Sequence, residues 1–198
     1  ISASDPDGYT QTQITSSING RYQSIAADTK CIEAVETITA TTANAIYTHT
    51  LPTGYLDTFR ITPGSTKDSL ERVTYSDFGM FNASQARFFT VFAGALYLYD
   101  LTTDPSNLTF SHVYWKVPTA LSADADLLAF PLKNWERLVA LGACLDLIVK
   151  NTSQSADVKK NDLKVLYDEE LLRFTSYWSN LQTSNATPLS GSRFVMGE

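Results

Sequence analysis

Most of the chemistry this chain could carry is excluded by what it lacks. No apolar run reaches the ~18 residues that a membrane-spanning helix needs, and no secretory signal pattern is visible. Cations are few: 15 Lys and Arg stand against 21 Asp and Glu, for a net charge of −6. Tight binding to nucleic acid or to an anionic membrane needs a basic surface, so both are disfavoured. Cysteine is too sparse for a disulfide scaffold. Cys31 and Cys144 both lie in apolar stretches and are expected as buried free thiols, with a disulfide as the alternative, and so few cysteines fit a reducing compartment. The two histidines, His49 and His112, each sit in a strand pattern with no second His, Cys or carboxylate at ligand spacing. They read as strand residues, not as ligands or bases. No G-x-S-x-G, H-E-x-x-H, C-x-x-C, phosphate loop or dinucleotide fingerprint occurs. Asp124 with Asp126, and Glu169 with Glu170, are solvated acids on this reading, and the helix pair points to different azimuths. The sequence therefore offers no catalytic, cofactor or metal site, and the chain is expected not to be an enzyme.

What is present is one long amphipathic pattern and a β-rich middle. From Phe130 to Lys150, residues Leu132, Trp135, Leu138, Val139, Gly142, Leu145, Ile148 and Val149 recur at spacings of three and four. That predicts a helix of about six turns with Pro131 in its first turn. A second long pattern, Ala156 to Gln182, carries Leu163, Leu166, Tyr167, Leu171, Phe174, Trp178 and Leu181 on one side. The two read as an antiparallel hairpin. A third helix is expected over residues 7–27, started by Asp5-Pro6-Asp7 and carrying Ile14, Ile18, Tyr22 and Ile25.

Residues 30–118 read as β-structure. Cys31–Ala40 and Ala45–Leu51 are expected to form a hairpin about Thr41–Asn44, and Leu56–Thr62 another strand. Leu70–Ser76 fits either a strand or a short helix. Arg87–Phe92 and Ala95–Tyr99 flank an Ala93-Gly94 turn, and Leu108–Val117 would complete a three-stranded meander. The expected fold is α+β: a helical bundle of the N-terminal helix and the C-terminal hairpin, with an inserted antiparallel β-meander. Residues 1–182 would form one domain, with helices at 130–150 and 156–182, and 183–198 an extended arm. Ser, Asn, Thr, Pro and Gly dominate that arm, and Arg193, Phe194, Val195 and Met196 are its candidate anchor to a partner. The chain opens on Ile1 without a Met, which leads us to expect an N-terminus further upstream.

The ordered set of signals resembles the head-to-tail adaptor, or connector, proteins of tailed bacteriophages. The rhythm of their first helix is matched by Ile14, Ile18, Asn19, Tyr22, Ile25 and Ala26. Tyr47, Leu51, Pro52, Tyr55 and Leu56 match the element that closes their hairpin, and Phe89 to Tyr99 their Leu-Tyr-Leu-Tyr strand pair. Val117 to Leu121 match a proline-led loop, Leu138, Val139, Gly142 and Ala143 the helix core, and Leu166, Tyr167 and Glu170 the last helix. The likeness spans about Tyr9 to Gln182.

The resemblance implies a structural virion protein made in the host cytoplasm. It would form a ring of about twelve copies at the head–tail junction. Its partners would be the portal protein above, a nozzle or hub protein of the tail below, and neighbouring copies of itself. DNA would pass through the channel without specific binding, and neither cofactor nor membrane is implied. An alternative reading is a carbohydrate- or receptor-binding β-module using Tyr97, Trp115 and neighbouring aromatics. A carboxylate-pair hydrolase is a third.

Overall fold

The computed structural model describes residues 9–40, 46–64, 68–78, 87–99, 108–123, 126–148 and 154–185. The fold is mixed α+β, with four α-helices and two β-sheets among the described residues. Asp5-Pro6-Asp7, the 41–44 turn, Asp124 and the arm residues Arg193, Phe194, Val195 and Met196 lie outside them. The chain divides into two compact units, Tyr22–Pro131 and Ile1–Arg21 with Leu132–Glu198. The first helix, α1 (Gln11–Thr29), runs through the boundary.

The unit Tyr22–Pro131 holds seven described strands: β1 (Glu33–Ala40), β2 (Ile46–Thr50), β3 (Tyr55–Pro63), β4 (Glu71–Arg72), β5 (Phe88–Phe92), β6 (Ala95–Tyr99) and β7 (Leu108–Lys116). One sheet has the order β1-β7-β3 and the other β2-β6-β5-β4. Two expectations need correction. β1 and β2 do not pair with each other, and β7 does not extend the β5–β6 hairpin. The reason lies in β7. Phe110, His112 and Tyr114 alternate with Val113 and Trp115, and all five are buried. A strand buried on both faces belongs in the middle of a sheet. β7 accordingly takes β1 and β3 as antiparallel neighbours. The two sheets share one apolar core of Ile38, Ile61, Leu70, Phe89, Leu96, Leu98 and Phe110. Burial of each such side chain contributes roughly 1.5–3 kcal/mol.

Local chemistry sets the turns. Ala93 and Gly94 have φ of 48° and 78°, so both central residues of the β5–β6 turn are left-handed. That pattern matches the twist of the flanking strands. Gly54 (φ 77°) turns the chain between Pro52 and Tyr55. Its carbonyl accepts the Val117 N–H at 2.8 Å, and a Cβ there would sit 2.8 Å from the Val117 carbonyl oxygen. The Leu70–Ser76 segment holds both β4 and the start of a one-turn helix, α2 (Tyr75–Phe78).

In the other unit α3 (Glu136–Ile148) and α4 (Gln154–Asn185) pack together. Trp135 meets Phe174 with ring centroids 5.4 Å apart, and Gly142 lies beside Tyr167. These contacts run in opposite chain order along the two segments. α3 is shorter than its apolar pattern. Leu132–Asn134 instead forms a separate 3-10 turn, closed by Trp135 N–H to the Leu132 carbonyl, and Leu138 and Val139 bond back to Trp135. α1 starts at Gln11 because Thr10 and Gln13 form a capping box. The Thr10 hydroxyl accepts the Gln13 N–H at 3.3 Å while Gln13 Oε1 accepts the Thr10 N–H at 2.9 Å. The cysteines also differ from expectation: Cys31 is buried, but Cys144 is exposed. Cys144 falls in register with exposed Arg137 and Ala140, on the opposite side of α3 from Leu138, Val139, Gly142 and Leu145.

Candidate functional site

A partly buried polar cluster joins both sheets of the Tyr22–Pro131 unit. His112 on β7 is 0% exposed. Its Nδ1 lies 2.7 Å from Glu36 Oε1 on β1, and its Nε2 lies 3.0 Å from the Thr58 hydroxyl on β3. His49 Nε2, from β2 of the other sheet, approaches the same Glu36 oxygen at 3.3 Å. A carboxylate only accepts, so Nδ1 carries the proton. Nε2 then accepts from Thr58, whose oxygen accepts from the Tyr55 hydroxyl at 2.8 Å. Every donor in this chain thus has an acceptor with the ring neutral. Burial pushes the His112 pKa down against the opposing pull of Glu36. Along the sequence the two histidines lie far apart and neither has a carboxylate at ligand spacing; pairing of distant strands brings them together on Glu36. Three residues on three strands leave no local spacing to find. Among the described residues no group of His, Cys, Asp and Glu is arranged to hold a metal ion.

Two charged groups act as clasps within their own units. Asp57 on β3 takes Lys30 at 2.9 Å and Arg72 at 2.7 Å. Burial alone would raise its pKa, but these two cations outweigh burial and hold it low. In the other unit Arg21 on α1 makes a bidentate pair with Asp146 on α3, at 2.6 and 2.5 Å. The Arg21 guanidinium also lies over the Tyr167 ring at 5.5 Å, which ties α4 to the pair. The hydrogen bond to Asp146 raises the Arg21 pKa further. Gly142 makes room for this arrangement: a Cβ there would stand 2.9 Å from Arg21 Cδ and 3.0 Å from Tyr167.

The aromatic residues considered for glycan stacking are mostly core. Phe88, Phe89, Tyr114 and Trp115 are buried, and Tyr97 packs against Tyr75 and Phe78. Phe92 is half exposed, but its ring is stacked on Tyr75 at 3.9 Å. Of the two rings on which a glycan platform would rest, Trp115 is buried and Tyr97 is half-buried. Of the acids weighed for catalysis, Asp126 is engaged by its own loop. It accepts the Ser122 and Ala123 N–H groups, which lower its pKa. Glu170 pairs with Arg173 at 3.4 Å.

The exposed apolar side chains fall into sets. Val158, Val165 and Leu172 recur along α4 with exposures of 66%, 57% and 68%. Val35 on β1 and Phe59 on β3 stand on the β1-β7-β3 sheet, where irregular register around Thr58 and Arg60 turns Phe59 outward. Surfaces of this kind suit protein partners better than a small substrate.

Among the described residues no helix is long and apolar enough to cross a membrane. A search of curated proteins finds no match to this sequence. A family model described as SU10 adaptor protein matches residues 3–181, a span that holds every motif behind the adaptor resemblance. The chain therefore belongs to the SU10 adaptor protein family and is a structural, virion-associated adaptor protein of a bacteriophage.

Proposed function

We propose that the protein assembles as a ring of about twelve copies between the portal and the tail, with DNA passing through its lumen. The family match over residues 3–181 carries this reading. The exposed apolar side chains on both units support it, since an adaptor must bury surface against neighbours above, below and beside it. The partners are the portal protein, a nozzle or hub protein of the tail, and further copies of the chain. About twelve copies at −6 each would carry a charge on the order of −70, which repels phosphate and lets DNA slide without specific contacts. On this reading residues 1–182 act as one adaptor domain, in which α1 and the α3–α4 pair form a helical bundle with the strands inserted. Residues 183–198 are an arm in which Arg193, Phe194, Val195 and Met196 grip the portal. Its place is the head–tail junction of the virion, after synthesis in the host cytoplasm.

The test is particle mass and shape, measured on the protein alone and mixed with the cognate portal ring. Closed rings seated on the portal are expected. A chain that stays monomeric and ignores the portal overturns the proposal.

A further inference from the structure

α4 has two apolar faces, and among the described residues only one is covered. Leu163, Phe174, Trp178 and Leu181 point inward, buried or half-buried. At about 100° per residue, Val158, Val165 and Leu172 lie about 180° round the helix from them. These three are each more than half exposed and are spaced about two turns apart. Among the described residues, a stripe so exposed adds little to the core of its own unit. Apolar residues on the outer side of a helix expose surface at a cost unless something covers them.

The charges beside the stripe indicate what covers it. Asp162 and Glu169 are exposed and interleave with Val158, Val165 and Leu172 on the same face. Arg173 leans to Glu170, and Lys164 pairs with Asp168. A symmetric contact, stripe on stripe, would set Asp162 and Glu169 of one copy against the same acids of the other, and like charges directly opposed repel. The stripe therefore needs an apolar partner with cations at its edge. The outer face of α3 has that composition. Arg137, Ala140 and Cys144 are exposed on one side, Leu141 and Ile148 are half-buried at its margin, and exposed Lys133 precedes it. Glu136 is also exposed, but lies about 100° from Arg137 around the helix. Arg137 and Cys144 are about two turns apart, the repeat of the α4 stripe. Because α3 and α4 pack through their buried faces, these outer faces look away from each other. One copy can therefore offer the stripe on one side and its complement on the other.

We infer that the outer stripe of α4, Val158–Val165–Leu172 with Asp162 and Glu169, docks on the outer α3 face, Arg137–Ala140–Cys144, of a second copy of this chain. The contact is heterologous, and a repeated heterologous contact closes a ring when its rotation permits. This inference rests on the ring reading above and names the surface that would build the ring.

Cys144 supplies the test, since it is exposed whereas Cys31 is buried. Cysteine is placed in turn at Val158, Val165 and Leu172 of the full chain (V158C, V165C, L172C). Each variant is assembled with the portal ring, oxidised mildly and run without reductant. A ladder of covalent multimers from at least one position is expected, and it should vanish when Cys144→Ser is added. Val165→Asp should abolish ring formation while far-UV circular dichroism stays unchanged. Rings seen by native mass spectrometry, with no ladder from any position and intact in Val165→Asp, overturn this contact and leave the ring reading standing. A wild-type chain that forms no ring, with or without the portal, overturns both.

Discussion

His112 illustrates how burial sets a residue's chemistry. Glu36 on β1, His49 on β2, Tyr55 and Thr58 on β3 and Tyr114 on its own strand all face or flank it. Burial lowers its pKa from the ordinary 6.5, so the unfolded chain takes up this proton before the folded one does. The contribution of the neutral ring to stability is present above its ordinary value and is lost as the pH falls from there through the lowered folded value. Urea unfolding at about pH 7.5 and about pH 5.5 should show wild type losing stability on the acid side. His112→Gln should be less stable at the higher pH yet lose less on acidification. Equal losses in the two proteins would remove His112 as the cause. Gly54 makes a sterically simpler case. Its φ of 77°, and the Val117 carbonyl oxygen only 2.8 Å from where a Cβ would stand, both oppose a side chain. Gly54→Ala should cost about 1–3 kcal/mol in the same assay. Neither role was legible in the sequence beyond the turn itself. Leu51-Pro52-Thr53-Gly54 announces a chain reversal, but the backbone across from Gly54 belongs to Val117, far along the chain.

At the scale of elements, local patterns were readable and partners were not. The Ala93-Gly94 hairpin, the inward faces of α3 and α4, and the Thr10-x-x-Gln13 box all depend on residues a few positions apart. The hairpin could be read directly, and so could most of the two inward faces, but Leu166, placed inward by its spacing, is exposed. The capping box was present but masked by the stronger-looking Asp5-Pro6-Asp7 signal. Strand order depends instead on which distant strand buries which face. β7 has the alternation of any meander strand until both of its faces prove to be covered. The same reasoning separates Cys144 from Cys31: an apolar neighbourhood in sequence does not say which side of a helix is outward. The hairpin gives a prediction at this scale. Ala93 holds φ 48° without the tolerance of Gly or Asn for that region. Ala93→Asn should raise stability by about 0.5–1 kcal/mol, read as a higher urea midpoint with an unchanged slope. A lower midpoint would show that the Ala93 methyl is worth more than the strain it imposes.

At the scale of the whole molecule, the arm and the fold should separate in experiment. Among the described residues, none of the buried side chains of either unit lies beyond Trp178, and α4 ends at Asn185. Deleting Ser190 to Glu198 therefore removes no described core contact, and the unfolding free energy should change by less than about 0.5 kcal/mol, as for a surface change. The arm's composition sets the other half of the expectation. Arg193, Phe194 and Met196 are residue types that interfaces use as anchors. The truncated chain should keep its circular dichroism and its side-to-side assembly, which the α4–α3 contact would supply, while pull-down with the portal ring weakens at least tenfold. Phe194→Ala in the full chain should reproduce much of that loss, because a buried aromatic anchor carries a large share of such a contact. Attachment unchanged in both variants would move the portal-binding surface from the arm to the folded units, where Val35 and Phe59 are the exposed apolar residues to change next.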